Sequence, residues 1–296
     1  MASLKEVRNR ITSVNSTRQI TSAMKMVSAS KLRRAQNAII NMRPYAQKLL
    51  SIMQDLTNDM DGSDEGKFAT NRGDHKVLIV TITSNRGLCG AFNANVVKNA
   101  INLIEGKYSE QQKKGNVSLM CLGKKGADGL ISAGYKPVEI ITDIFDQLSF
   151  ENAVPIAEEI MQSFVDKKFD KVILIYNQFK NAAVQLLQDE QFLPITESTE
   201  KEGDSKDEIK ANYIFEPNKE DILEALVPKA IKVQLYKALL DSYASEHGAR
   251  MTAMHQATEN ADEMLKALKL KYNKARQASI TNEILEIVGG AEALSG

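Results

Sequence analysis

The sequence predicts an α/β fold with a coiled coil: long N- and C-terminal helices, packed as an antiparallel pair, flanking a central Rossmann-like α/β domain. Three observations lead there. Residues 4–43 contain neither glycine nor proline; residues 229–288 contain one glycine, Gly248, and no proline; and between these stretches apolar runs of strand length alternate with helical periods. The boundaries drawn from this pattern are an N-terminal coiled-coil helix at 1–60, an α/β domain at 74–215 and a C-terminal coiled-coil helix at 218–296.

The first helix is rich in Ala, Met, Lys, Arg and Gln, all good helix formers, and at about 1.5 Å per residue it would run for roughly 60 Å. A heptad frame puts Leu4, Val7, Ile11 and Val14 on one seam, passes through Arg18, Thr21, Lys25 and Ser28, and recovers at Leu32, Ala35, Ile39 and Met42. The middle of the seam is therefore polar. Residues 7–54 hold no acid, so the arm that carries Lys25, Lys31, Arg33 and Arg34 is strongly basic although the whole chain has a formal net charge of zero.

In the central block, KVLIVTITS at 76–84, NVSLMCLG at 116–123, PVEII at 137–141 and DKVILIYNQF at 170–179 read as strands. Helical periods at 93–114, 124–133 and 151–168 separate them, and the run AAVQLLQDEQFLP at 182–194 closes the block. Strand and helix in alternation imply a small, largely parallel sheet. Residues 197–210 form a charged loop, and residues 196–226 hold ten acids against four lysines.

Pro217 and Asn218 open the last helix and Pro228 is placed to kink it. Leu265, Leu268, Tyr272 and Ala275 keep a 3,4,3 spacing, after which the apolar positions shift to Ile280, Ile284 and Ile287. At the end, Ile284, Leu285, Ile287, Val288, Ala291 and Leu294 ring nearly the whole circumference, and a helix apolar on all sides calls for cover. One partner helix cannot supply it, so other chains are the expected sleeve.

A 43% apolar, 26% charged composition is that of a water-soluble protein, and no run approaches the roughly 20 apolar residues of a membrane span. The charged start MASLKEVRNRITS is not expected to be a signal peptide. Asn85 to Gly90, NRGLCG, follows a strand where a dinucleotide-binding fold holds its phosphate loop, but it lacks the GxGxxG spacing, and GxxxxGK[ST] is absent as well. The thiols of Cys89 and Cys121 have no His partner in sequence and read as buried free cysteines. His247 and His255 lie about 12 Å apart along one helix, too far to share a metal, and read as solvated. Asp143 and Asp146 read as capping groups. No catalytic residue, metal site or cofactor is expected. Two other readings compete: a nucleotide-binding α/β enzyme with helical arms, from the central sheet, and a nucleic-acid-binding coiled coil, from the basic arm. The second suffers because Tyr45 is the only aromatic residue among the first 67, which leaves no stacking platform.

Three segments resemble the gamma subunit of F-type ATP synthases: RITSVNSTRQITSAMKMVSASKLRRAQ at 10–36, TSNRGLCGAFNAN at 83–95 and NKARQASITNEILEIVGGAEAL at 273–294. The likeness runs over essentially the full length, with Ser28 and Val7 standing where alanine and isoleucine are more usual in the family. The resemblance implies a central rotor stalk without catalytic residues, which transmits rotation between an ion-driven membrane ring and a catalytic hexamer and so couples ion flow to ATP synthesis or hydrolysis. It implies one copy per complex, with three alpha and three beta subunits, an epsilon subunit and the c-subunit ring as partners, no nucleic acid, and membrane contact only through those partners. Residue by residue, it implies contacts to the catalytic ring at Met24, Lys25, Arg33, Arg34, Arg250, Gln277 and Thr281. It further implies a tip seated in a collar through Ile284, Ile287 and Val288, and a foot on the rotor ring at Tyr213 and Glu216. The absence of the cysteine-bearing insertion of the chloroplast form and of a transit peptide implies a bacterial chain, peripheral on the cytoplasmic face of an energy-transducing plasma or inner membrane.

Overall fold

The computed structural model describes residues 4–58, 68, 70–195 and 219–295. Two helices begin and end the chain, α1 (Leu4–Asn58) and α6 (Lys219–Ser295). Between them lie β1 (Val77–Ile82), α2 (Phe92–Glu105), α3 (Ser109–Lys113), β2 (Val117–Leu122), α4 (Lys124–Ser132), β3 (Glu139–Ile141), α5 (Phe150–Val165), β4 (Lys171–Phe179) and β5 (Gln185–Leu193). The chain divides into two compact units, one made of residues 1–29 and 250–296 and the other of residues 30–249.

The larger unit is built on a five-stranded sheet in the order β3-β2-β1-β4-β5. The first four strands are parallel, and β5 turns back antiparallel along β4. Because successive strand residues point to opposite faces, β1 sends Val77 and Ile79 to one core and Leu78, Val80 and Ile82 to the other. The first core is closed by Val96, Ala100 and Ile104 of α2 and by Ala127 and Leu130 of α4. The second is closed by Ile156, Ile160 and Phe164 of α5 and by Ile231, Leu235 and Leu239 of α6. Strands covered on both faces read as continuous apolar runs, which is why β1 and β4 stand out in the sequence.

The first helix runs through Pro44 to Asn58; a proline forfeits one hydrogen bond, and the apolar contacts of Ala46 and Leu49 with Ala230 and Val233 offset that loss. Two expectations need correction. The single helix expected at 93–114 is broken. Gly106 caps α2, its N–H donating to the Asn102 carbonyl at 2.9 Å, and the turn carries Tyr108 into complete burial before α3 begins. His247 is not solvated: it is 5% exposed and stacks edge-on against Tyr243 at 4.4 Å between ring centroids.

The smaller unit is an antiparallel pair of helix segments from α1 and α6. Its buried positions follow the heptad frame, with Val7, Thr21 and Ser28 on α1 and Met254, Ala261 and Leu265 on α6. Ser28 occupies its narrow place by donating its hydroxyl back to the Met24 carbonyl at 2.8 Å.

Candidate functional surface

Four side-chain bonds fix how the two segments of the smaller unit align. Arg8 donates to the Tyr272 hydroxyl at 2.9 Å, Arg18 pairs with Asp262 at 3.2 Å, the hydroxyls of Thr21 and Thr258 meet at 2.8 Å, and Lys25 Nζ lies 3.2 Å from His255 Nδ1. Steps of ten, three and four residues along α1 are answered by ten, four and three in reverse along α6. That is the alternation of a heptad seam read in opposite directions. The bond from Arg8 holds the Tyr272 phenol below its usual range and raises the guanidinium's own pKa. Arg8 also lies 5.8 Å from the centroid of that ring, within cation–π reach.

Carried to the end of α1, this register puts Leu4 level with position 276. From Gln277 onward α6 therefore has no facing helix among the described residues. Ile284, Leu285, Ile287 and Val288 stand there at 54%, 63%, 72% and 51% exposure. A contiguous apolar surface of this kind is characteristic of a binding interface. Gln277 and Thr281 lie on the same bare stretch, with the Thr281 hydroxyl donating to the Gln277 carbonyl at 2.9 Å.

The remaining sequence-predicted positions are spread along the helices. Met24, beside the seam, and Lys25, on it, are half-buried, whereas Arg33 and Arg34 are exposed on α1. Arg250 is buried at 7% exposure, so it offers a partner only a small surface. Tyr213 and Glu216 fall outside the described residues.

In the larger unit, the C-terminal ends of β1 and β4 form the place where doubly wound sheets bind nucleotides. Here that place is occupied by the chain itself. The first three amides of α4 are already bonded: Lys124 N–H donates to Asn85 Oδ1 at 3.0 Å, Lys125 N–H to the Ser84 carbonyl at 3.0 Å, and Gly126 N–H to Thr83 Oγ1 at 2.9 Å. Ser84 N–H donates to Asn93 Oδ1 at 3.0 Å, Asn177 Nδ2 to the Phe92 carbonyl at 3.2 Å, and the Ser242 hydroxyl of α6 to the Ile82 carbonyl at 3.5 Å. A phosphate would have to displace this network to reach the N-terminus of α4.

Neither thiol is set up for chemistry. Cys89 and Cys121 are free and buried, and burial pushes the Cys121 thiol up, away from the reactive thiolate. Asp143 Oδ1 accepts from the Thr142 N–H and hydroxyl at 3.3 Å each, and the short turn that begins at Asp143 has no side-chain cap. Among the described residues no group of His, Cys, Asp and Glu is arranged to hold a metal ion, and no helix is long and apolar enough to cross a membrane. Sequence reasoning placed the tip and the seam but missed the closed crevice, whose signal lay in the polar side chains Thr83, Ser84, Asn85 and Asn93 clustered behind one strand.

Residues 3–294 match the family model described as ATP synthase. The ATP synthase gamma chain of Christiangramia forsetii is 56% identical over 296 residues, with all of both chains covered, and that of Flavobacterium johnsoniae is 56% identical over 299 residues with the same coverage. Among solved structures, a chain of the central stalk and c-ring of the Tetrahymena thermophila mitochondrial ATP synthase superposes with a TM-score of 0.57 at 27% identity, covering 80% of this chain and 99% of that one. A chain from the Euglena gracilis mitochondrial ATP synthase gives a TM-score of 0.69 at 24% identity, covering 98% and 94%, and shares the fold.

Proposed function

The chain belongs to the ATP synthase gamma-chain family, and from that premise we propose how its surfaces are used. Its role is that of the central stalk of the rotary ATP synthase: a component with no catalytic site of its own that transmits rotation between the ion-driven ring and the catalytic hexamer. It works in the ATP synthase complex at an energy-transducing membrane.

The reading of its individual contacts is our own. Three alpha and three beta subunits enclose the paired helices; the epsilon subunit and the c-subunit ring meet the chain at the other end, with Tyr213 and Glu216 at the foot. The complex stands on the cytoplasmic face of a bacterial plasma or inner membrane. One observation carries the arrangement: the bare apolar end of α6, where Ile284, Ile287 and Val288 are more than half exposed. Such a surface is stable in water only when another chain sleeves it. Met24, Arg33, Arg34, Gln277 and Thr281 lie outside the seam and serve as contacts to the catalytic ring, Lys25 does so from the half-buried polar part of the seam, and Arg250 contributes through its small exposed remainder.

Coupling then follows from asymmetry. Each orientation of the stalk touches the three beta subunits differently, and differential contact shifts each toward a different conformation. Rotation passes every catalytic site through binding, synthesis and release without any bond chemistry on this chain. The test is to mix the purified chain with alpha and beta subunits and follow gel filtration and ATP hydrolysis. One copy entering a ring of three plus three, with hydrolysis stimulated, is the expected result; a chain that stays free of the ring would overturn the reading.

A further inference from the structure

The polar residues at the centre of the helix pair are not explained by the need to fill a seam. Apolar a and d residues hold two helices together, yet at three successive seam positions α1 presents Arg18, Thr21 and Lys25, each bonded across to α6 at Asp262, Thr258 and His255. Thr21 is buried, and Arg18 Nε is buried without a hydrogen-bond partner among the described residues. Both features work against stability relative to an apolar layer, since net gains from buried polar pairs are small and an unpaired group is a penalty.

What the layer supplies is uniqueness. In an all-apolar seam, sliding one helix by a heptad, about 10 Å, again sets apolar residues against apolar residues. Here a slide of seven residues would take the Thr21 hydroxyl away from Thr258 and set it against the apolar Leu265 in one direction or Met251 in the other, with only its own-helix bond to the Arg18 carbonyl at 3.0 Å retained. In the first of these registers Arg18 would also face Lys269. We propose that this layer is a register lock: it fixes the axial alignment of the α1 and α6 segments so that the pair turns as one body instead of shearing. The alignment stands on the geometry alone, and the turning rests on the stalk reading above.

The test uses the full chain with spin labels at the exposed positions Ser13 and Lys266, the two buried native cysteines being left unlabelled, and combines pulsed dipolar distances with amide hydrogen exchange. Thr21→Val removes the cross-helix partner of the Thr258 hydroxyl, which keeps its bond to the Met254 carbonyl at 2.7 Å, and should speed local exchange about twofold. Thr21→Val/Thr258→Val should recover that protection, yet its distance distribution should split or broaden where the unsubstituted chain gives one narrow peak. A group that served stability alone would move exchange and leave the distance untouched. A single narrow distance in the double valine variant overturns the lock. If that variant loses its helical circular dichroism, the charge pair decides: Arg18→Asp should broaden the distribution and Arg18→Asp/Asp262→Arg should restore it, whereas a narrow peak in Arg18→Asp overturns the proposal. The stalk reading fails separately, when the unsubstituted chain does not enter an alpha and beta ring.

Discussion

Gly123 sits at φ +114° between β2 and α4, and a Cβ built on it would lie 2.2 Å from the Thr83 carbonyl oxygen. Gly123→Ala combines a strained backbone with a backbone clash, and should destabilise the larger unit by about 2–4 kcal/mol in denaturant unfolding. Tyr176 tests the second core. Its hydroxyl donates to Glu190 Oε2 at 2.6 Å while Gln234 Nε2 donates to Oε1 at 2.7 Å. Burial first, and then the Glu190 carboxylate, hold the phenol neutral well above its ordinary range. The folded pKa is raised, so the stabilisation is complete below the unfolded value of about 10 and is lost as pH climbs beyond it. Stability should therefore fall on passing from pH 9 to 11, and Tyr176→Phe, about 1–2 kcal/mol less stable at neutral pH, should show a shallower alkaline loss. On the surface, reversing Lys25, Arg33 and Arg34 to glutamate should lower coupled ATP turnover by on the order of tenfold through repulsion of acidic partner groups; unchanged turnover would remove charge from the account.

At the scale of the element, the end of α6 is the informative one. Because residues 284–291 have no cover from the described part of the chain, deleting residues 284–296 should weaken seating in the ring yet leave the far-ultraviolet signature and melting of the α/β unit in place; a truncated chain that lost its sheet would contradict the assignment of the tip. The two long helices were legible because a period of 3.5 residues persists over many turns, and the strands were legible because burial on both faces makes them uninterrupted apolar runs. The break at Gly106 was not, since the residues on both sides keep helical character and only the burial of Tyr108 in the core turns the chain. At Pro44 a local signal for termination is outweighed by tertiary contacts at Ala46 and Leu49. His247 was misjudged because a polar side chain on a helix defaults to solvent, and nothing in its spacing announces what covers it. The tip and the seam, by contrast, were readable in advance, as both rest on where apolar residues fall around a helix.

At the scale of the whole molecule, a chain without chemistry of its own works by turning. A sheet in which the N-terminus of α4 is bonded to the chain itself, a helix pair with one defined register and a bare apolar tip each serve a body that must transmit force. The decisive measurement is rotation itself: the complex of this chain with alpha and beta subunits is fixed to a surface through the beta subunits, a bead is attached to the α/β unit, and ATP is added. Unidirectional rotation of the bead, stopping when ATP is exhausted, is the predicted result. Sustained hydrolysis by the same complexes with the bead stationary would contradict it.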